Sequence, residues 1–386
     1  MGAARLARGR SRPMAVEEPA RTRSQASLGA SFAVRAAFIW PALLAILFVS
    51  IYPLLVSLYI SLSRLKLVRG GFEFRFVGLD NFRELLIGGE QSNFLGVTRP
   101  LTPVGWVVLV AGVGLLGWGL VGAWRAGASV LGMAFRLLGA LAAAGAIWLT
   151  THTLLAEGGR PGTAVVTLVY VVVGITAQFL LGLGLAWLLT QGLPGQRFFR
   201  VIFLLPMMIT PVGVAYMFRM LTDTGKGPLQ PLWAAVGLSD FSWVNDPWGA
   251  RVAVMVGDIW QWTPFMFIIL LAALEGQDLD TVEAGMVDGA SRWQIFRHIS
   301  LPAILPVCAT VVLIRLIEAF KIIDLPNILT NGGPGTATES LSLHAYIRWR
   351  TLNLGQSAAV AYSLLFIVTV AALSYVNLVR RRIAEE

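Results

Sequence analysis

Eight apolar runs, each about 20 residues long, constrain this chain more than any other feature of its sequence. A helix needs about 20 apolar residues to cross the hydrocarbon core of a bilayer. Inside lipid the backbone must satisfy its own hydrogen bonds, which a helix does within one segment. The runs cover residues 36–60, 104–124, 137–155, 163–189, 201–221, 252–274, 303–323 and 357–379.

The composition also indicates a membrane protein rather than a soluble one. Of the 386 residues, 56% are hydrophobic and only 13% are charged, whereas an ordinary soluble domain is about 25% charged. We therefore predict an all-α integral membrane protein with about eight transmembrane helices.

The arginines at the two ends of the chain predict its orientation. Seven precede the first run, and Arg380, Arg381 and Arg382 follow the last one. Positive charge favours the cytoplasmic side of a membrane, and the first span usually dominates. The loop 61–103 opposes this orientation with six basic residues, but it also carries four acids. We expect both termini in the cytoplasm, and eight spans then place segment 281–302 there as well.

The two ends of the chain do not resemble folded domains. Residues 1–35 are rich in Arg, Ala, Ser and Pro and show no apolar period, so we predict a disordered basic cytoplasmic tail. Residues 380–386 would form a second, short cytoplasmic tail. The run 36–60 is longer than the apolar part of a cleaved signal peptide, which has about 7–15 residues. We expect it to remain as the first transmembrane helix.

The sequence lacks motifs for nucleotide binding, metal binding or catalysis. Gly225-Lys226 resembles the end of a phosphate-binding loop, but Gly227 stands where Ser or Thr is needed. The three histidines show no metal-ligand spacing, and the single cysteine allows no disulfide. We therefore expect no catalytic residue, no bound metal and no cofactor in this chain. Energy for any driven process would come from a partner.

Segment 281–302 is polar and lies between two apolar runs. Asp280 can cap a helix starting at Thr281, with Glu283 reaching back in a capping box. We predict that this helix ends at Asp288 and that Gly289 supplies the left-handed turn after it.

The second half of the segment carries its own start signal. Ser291 followed by Gln294 forms another capping-box pattern, for a helix through His298. Pro302 then marks the entry into the next apolar run. The segment is therefore predicted to be a helix, a sharp turn and a second helix.

These residues resemble a known signature. Glu283-Ala284-Gly285, then Gly289, then Ile299, Leu301 and Pro302 are similar to the EAA motif of the membrane permease subunits of bacterial ABC importers, with Gly285 in place of the second alanine. The resemblance implies that a separate ATPase binds this segment. The implied coupling residues are Glu283, Ala284, Gly285, Asp288, Gly289, Ile299, Leu301 and Pro302.

Other segments resemble the sugar-importer branch, the maltose-type permease family. They are residues 76–82, 182–186, 197–200 and 320–339. The resemblance implies a permease subunit of an ATP-driven importer of a sugar or polyol, forming half of the translocation path in a prokaryotic inner membrane. The implied partners are a second, different permease, two ATPase subunits that bind ATP and Mg, and an external solute-binding protein.

The family resemblance implies six core spans, whereas this chain has eight. We expect a first core helix at 36–60, an external loop at 61–103, an inserted hairpin at 104–155 and the remaining core at 163–379. The hairpin would pack on the core outside the path, with partner docking as the alternative.

Polar and charged side chains in or beside the spans are candidates for the substrate path, since such groups are expensive in lipid. Amide and aromatic groups suit a hydroxyl-rich ligand. Arg315, Glu318, Lys321 and Asp324 recur every three residues and would share a helix face; self-neutralising pairs are the alternative reading for them, and helix packing for the neutral residues. The expected path residues are Gln178, Gln261, Trp262, Thr263, Glu318, Lys321, Asp324 and Asn327.

Two other functions stay open at this stage. A permease for glycerol phosphate or another small anion would need unpaired cations along its path, and few are present. A secondary transporter would be expected to show an inverted repeat or a chain of acids for proton coupling, and neither is evident.

Overall fold

The computed structural model describes residues 39–68, 71–125, 127, 130–192 and 194–384. The chain divides into two units, residues 1–57 and residues 58–386. The predicted disordered tail, residues 1–35, lies outside the described residues.

The described part of the first unit is helical. Helix α1 (Ile39–Ser61) begins there, and its apolar side chains are exposed, as Phe48 at 72% and Val49 at 70% illustrate. A helix that is apolar on every side suits a lipid environment. A π-helical turn, Leu47–Ile51, lies shortly before Pro53.

The second unit contains most of the helices. In chain order they are α2 (Asp80–Leu86), α3 (Gln91–Phe94), α4 (Pro103–Arg125), α5 (Val130–Leu154), α6 (Thr163–Leu189), α7 (Gln196–Met208), α8 (Pro211–Leu221), α9 (Gln230–Ala235), α10 (Pro247–Glu275), α11 (Leu279–Val287), α12 (Arg292–Ala319), α13 (Asp324–Thr330), α14 (Leu341–Arg350) and α15 (Leu354–Ala384). Two small antiparallel sheets accompany them, pairing β1 (Ser63–Val68) with β2 (Gly71–Phe76) and β3 (Gly96–Val97) with β4 (Arg160–Pro161).

Seven described helices are long and apolar enough to cross a membrane, and an eighth span results if α7 and α8 count together. The prediction of about eight transmembrane helices is confirmed. The prediction of one continuous helix over 201–221 is wrong, because α7 and α8 meet at an angle of 96°. Thr210 caps α8 by accepting a hydrogen bond from the Gly213 N–H, and Pro211 occupies its first turn, where proline starts a helix rather than continuing one.

The ends of three helices also differ from the prediction. α12 begins at Arg292 rather than at 303 and ends at Ala319 rather than at 323. α11 begins at Leu279 because Asp278, not Asp280, caps it, with its Oδ1 accepting from the Asp280 N–H. α15 continues to Ala384, beyond the predicted end at 379.

The core of the second unit is built around α6 and α10. A Cβ added at Gly182 of α6 would lie 2.6 Å from the Met266 Cβ of α10, so the two helices can approach this closely only because residue 182 has no side chain. Met266, Phe267 and Leu270 are fully buried there. α12 packs on the same cluster through Val311 and Cys308.

The hairpin formed by α4 and α5 lies against α15 and the start of α6. Gly139 of α5 approaches α15 closely, since a Cβ there would lie 2.4 Å from Ser374 Oγ. The two ends of the hairpin meet, because Thr102 Oγ1 donates to the Leu155 carbonyl at 2.6 Å. Its large side chains, such as Trp118 at 82% exposure, face away from the described protein.

Candidate functional site

Segment 281–302 has the predicted helix–turn–helix form. α11 ends at Val287, and Gly289 follows with a φ of +78° and an open environment around its Cα. The positive φ explains the glycine, because other residues adopt this backbone only with strain. The capping box of Ser291 and Gln294 is confirmed, with both reciprocal hydrogen bonds present.

The second helix of the segment does not stop at His298. It continues as α12 to Ala319, a single helix of 28 residues. A π-helical turn, Phe296–Ser300, precedes Pro302; such wider turns frequently mark functional sites. Residue 302 therefore lies inside a continuous helix that leads from the segment into the membrane core.

The first helix of the segment rests on the second through Gly285. This residue is buried, and a Cβ there would lie 2.8 Å from the Ile299 Cδ1. The glycine that replaces the second alanine of the motif therefore lies where α11 packs closely against Ile299 of α12. Because Cδ1 is the far end of the Ile299 side chain, a small side-chain shift can admit an alanine.

The outer surface of segment 281–302 is open. Glu283, Ala284, Asp288 and Gly289 are exposed, as is Pro302. Large apolar side chains lie among these polar groups, namely Leu279 at 63%, Met286 at 57%, Val287 at 88% and Trp293 at 54% exposure. Exposed apolar groups with a polar rim are typical of a surface that binds another protein. Ile299 and Leu301 are half-buried and lie toward the core.

A cavity of about 460 Å³ lies behind this segment. It is lined by side chains of α6, the end of α10, α11 and the start of α12, among them Trp187, Gln191 and Gln277. Arg292 Nη1 donates to Gln191 Oε1 across it at 3.4 Å. The first turn of α12 is therefore tied to the end of α6.

The other end of α12 carries a buried ion pair. Arg315 Nη2 donates to Asp258 Oδ2 of α10 at 2.6 Å, and the two side chains are only 2% and 9% exposed. Gln178 of α6 joins them, accepting from Arg315 Nε at 2.8 Å and donating to Asp258 Oδ2 at 2.8 Å. The Trp262 ring lies 4.8 Å from the Arg315 guanidinium carbon, a distance at which the ring stabilises the cation. Three helices are thus joined by one polar network.

This network borders a cavity of about 170 Å³, which we call the Trp262 pocket. Five of the eight predicted path residues line it together. The full lining is Pro211, Asp258, Gln261, Trp262, Arg315, Glu318, Lys321, Ile322, Ile323, Asp324 and Leu325.

Three predicted path residues do not line the Trp262 pocket. Gln178 is fully buried behind the ion pair and orients it. Thr263 donates to the Ile259 carbonyl of its own helix at 2.6 Å. Asn327 lies in α13, where its carbonyl accepts from the Asn331 N–H at the end of that helix.

The expectation of one charged face over residues 315–324 is wrong. α12 ends at Ala319, so Lys321 and Asp324 leave the helix on which Arg315 lies. Lys321 does pair with Glu318 at 2.7 Å, in an exposed position, but Arg315 pairs across to α10. Sequence reasoning missed its partner, Asp258, although a lone acid inside an apolar run is itself a signal of function.

The bend between α7 and α8 also borders this region. Gln261 Nε2 donates to the Ile209 carbonyl at 3.3 Å, at the point where α7 ends. Pro211 at the start of α8 lines the Trp262 pocket. The break between α7 and α8 thus places the first turn of α8 in the wall of the Trp262 pocket.

Comparisons with known proteins agree with this architecture. Residues 178–384 match the family described as binding-protein-dependent transport system inner membrane component. A probable ABC transporter permease protein, y4oQ of Sinorhizobium fredii, is 34% identical over 210 residues, covering 54% of this chain and 67% of that protein. The trehalose/maltose transport system permease protein MalF of Thermococcus litoralis is 31% identical over 217 residues, covering 56% of this chain and 74% of that protein.

A solved structure shares the fold. A chain in the crystal structure of a bacterial ABC transporter involved in the import of alginate superposes with a TM-score of 0.62, at 17% identity. The likeness covers 93% of this chain and 99% of that chain.

Proposed function

The chain belongs to the family of binding-protein-dependent transport system inner membrane components, and on that premise we propose that it is the permease subunit of an ATP-driven carbohydrate importer. It is a multi-pass membrane protein and a transport subunit whose ATPase is a separate protein. A partner permease and a solute-binding protein complete the assembly that the family implies. We extend this to a different second permease, two ATPase subunits that hold ATP and Mg, and both termini in the cytoplasm.

The observation that carries the proposal is the continuity of α12. This helix of 28 residues runs from Arg292, in the exposed segment 281–302, to the turn after Arg315 at the Trp262 pocket. At 1.5 Å per residue it is about 42 Å long. A packed helix moves largely as a rigid body, so a displacement at one end reaches the other.

Segment 281–302 is, in this account, the surface on which the ATPase acts. Its exposed apolar side chains offer contact area, and Gly289 allows the tight turn between its helices. When the ATPase subunits close on ATP, they shift the start of α12 relative to α6 and α10. The Arg315 end of α12 then moves against Asp258, which changes the shape of the path.

The Trp262 pocket is the part of the path that we assign to substrate. Its 170 Å³ is below the roughly 300 Å³ of a small complete ligand pocket, so we expect the partner permease to supply further walls. Trp262 and Gln261 offer an aromatic face and an amide, both suited to a hydroxyl-rich ligand. The named function of the MalF relative, trehalose/maltose transport, agrees with this chemistry.

Import of glycerol phosphate or another small anion is the second candidate. The charges in the Trp262 pocket disfavour it, since three carboxylates face two cations and both cations are paired with carboxylates. An anion would meet a net negative lining. A secondary transporter is less compatible still, because the chain belongs to a family that works with an ATPase.

Reconstitution of the complete importer in proteoliposomes tests the proposal. We expect uptake of a labelled carbohydrate from a panel with trehalose, maltose and glycerol to require ATP hydrolysis, with glycerol 3-phosphate excluded. Uptake that persists when ATP hydrolysis is blocked would contradict the proposal. Uptake of glycerol 3-phosphate alone would favour the second candidate.

A further inference from the structure

We propose that Asp258 and Arg315 together bind a vicinal diol of the transported solute, which makes them specificity-determining residues of the Trp262 pocket. The inference rests on the proposed function and deepens it, because it names the chemical group that the pocket recognises. It concerns two residues that lie outside segment 281–302.

The hydrogen bonds among Gln178, Asp258 and Arg315 use only some of the donors and acceptors that these side chains carry. Asp258 Oδ2 accepts hydrogen bonds from both Gln178 and Arg315. Arg315 donates from Nε to Gln178 and from Nη2 to Asp258. Among the residues that the structure describes, no group donates to Asp258 Oδ1 and none accepts from Arg315 Nη1. One acceptor, Asp258 Oδ1, and one donor group, Arg315 Nη1, therefore remain on a single buried ion pair.

Both remaining atoms can be reached. Asp258 and Arg315 line the Trp262 pocket although their side chains are only 9% and 2% exposed. Neither Oδ1 nor Nη1 is among the described side-chain atoms that are fully buried without a partner. The small exposed part of each side chain thus includes unused hydrogen-bonding capacity.

A vicinal diol fits this arrangement. One hydroxyl can donate its proton to Asp258 Oδ1, while the neighbouring hydroxyl oxygen accepts from Arg315 Nη1. Both are hydrogen bonds to charged groups, which are the stronger kind. Gln178 behind the pair and the Trp262 ring beside Arg315 fix the two charged groups, so little ordering is needed when the ligand arrives.

The same pair discriminates against ligands that lack the diol. A deoxy analogue would displace water from the pocket and leave a buried charged group unpaired, which is costly. The lining as a whole carries three carboxylates and two cations, so a phosphate or uronate is disfavoured electrostatically. The recognised group is a neutral diol on a ring or polyol chain.

The test compares parent sugars with deoxy analogues in the complete wild-type importer. Trehalose and maltose serve as probes, each beside its 2-deoxy and 3-deoxy forms, and ATP-dependent uptake is measured in proteoliposomes. We expect at least one single-hydroxyl deletion to lower uptake about tenfold or more, as for a lost hydrogen bond to a charged group. Equal uptake of the parent and every deoxy form would overturn the inference.

A variant assigns this discrimination to the permease rather than to the binding protein. The binding protein is the same in all samples, so a change in the parent-to-deoxy ratio must come from the altered chain. We expect Asp258→Asn to reduce that ratio several-fold toward one in the fraction that assembles, while Asp240→Asn, the same change at an exposed site, leaves it intact. An unchanged ratio in assembled Asp258→Asn importer would overturn the inference.

Failure of the proposed function would look different. If no carbohydrate of the panel shows ATP-dependent uptake, the proposed function is wrong and the inference falls with it. If trehalose or maltose is taken up but its deoxy forms are equivalent, only the inference is wrong.

Discussion

Arg315 Nη2 lies 2.6 Å from Asp258 Oδ2, and this contact joins α12 to α10 between side chains that are 2% and 9% exposed. Both helices are long enough to cross a membrane. Charged groups are rare inside such helices and usually have a partner and a function there. The contact lies in the wall of the pocket assigned to substrate, near the end of the helix that begins in the segment assigned to the ATPase.

Removal of one member of this pair should destabilise the protein strongly. Asp258→Leu leaves the Arg315 charge buried without its carboxylate, at a cost of about 3–5 kcal/mol. The double variant Asp258→Leu with Arg315→Met should recover much of that loss, because no charge is left unpaired. The thermal midpoint of the purified protein in detergent measures the loss of stability in the single variant and its recovery in the double variant. A single variant as stable as the wild type would contradict the buried ion pair.

The contact of Gly285 with Ile299 should tolerate one methyl group and no more. Gly285→Ala requires a shift of the Ile299 Cδ1 and gains up to about 1 kcal/mol of helix propensity, so we expect near-normal uptake. Gly285→Leu should separate α11 from α12 and reduce uptake without loss of membrane insertion. The ratio of uptake to ATP hydrolysis in proteoliposomes provides the measurement. Normal coupling in the leucine variant would show that the two helices need not touch.

The break between α7 and α8 should depend on the cap that Thr210 provides. Thr210→Val keeps the shape of the side chain but removes the acceptor of the Gly213 N–H, at a cost of about 1 kcal/mol. Thr210→Ser keeps the oxygen and should behave as the wild type. The thermal midpoints of the valine and serine variants measure the two effects on stability. A valine variant as stable as the serine variant would contradict a role for the cap.

Deletion of residues 104–155 should leave a functional importer if the hairpin is peripheral, as we propose. The ends of the deletion already lie together, through the bond between Thr102 and Leu155 and the bridge between Leu101 and Ala156. No described residue of the hairpin lines the Trp262 pocket. Uptake by the assembled deletion variant is the readout, with membrane insertion as the control. Complete loss of uptake despite normal assembly would favour a docking role instead.

Much of the architecture could be predicted from the sequence because its signals are local. The apolar runs predicted the spans, the glycine at 289 predicted the turn, and Ser291 with Gln294 predicted a helix start. The Thr210-Pro211 start signal was present too, but it lay inside an apolar run long enough to suggest one straight span.

The polar network could not be predicted because its contacts are remote in sequence. Arg315 lies 57 residues from Asp258 and 137 from Gln178 along the chain. Regular spacing suggested that Arg315 would share one helix face with Glu318, Lys321 and Asp324. The end of α12 at Ala319 and the closer Asp258 carboxylate decide otherwise.

The role of segment 281–302 in coupling is tested most directly by measuring how ATP hydrolysis is coupled to uptake when this segment is altered. Gly289→Val places a β-branched residue at a φ of +78°, a strain of about 1–3 kcal/mol, and Glu283→Lys reverses an exposed charge on the surface assigned to the ATPase. Gly289→Asn is the matched control, since asparagine tolerates this backbone.

Uptake and ATP hydrolysis are to be measured in the same proteoliposomes for all three variants. We expect Gly289→Val and Glu283→Lys to insert and assemble but to lose uptake relative to hydrolysis, whereas Gly289→Asn should keep the wild-type ratio. Unimpaired uptake in both Gly289→Val and Glu283→Lys would contradict the assignment of this segment as the site of coupling.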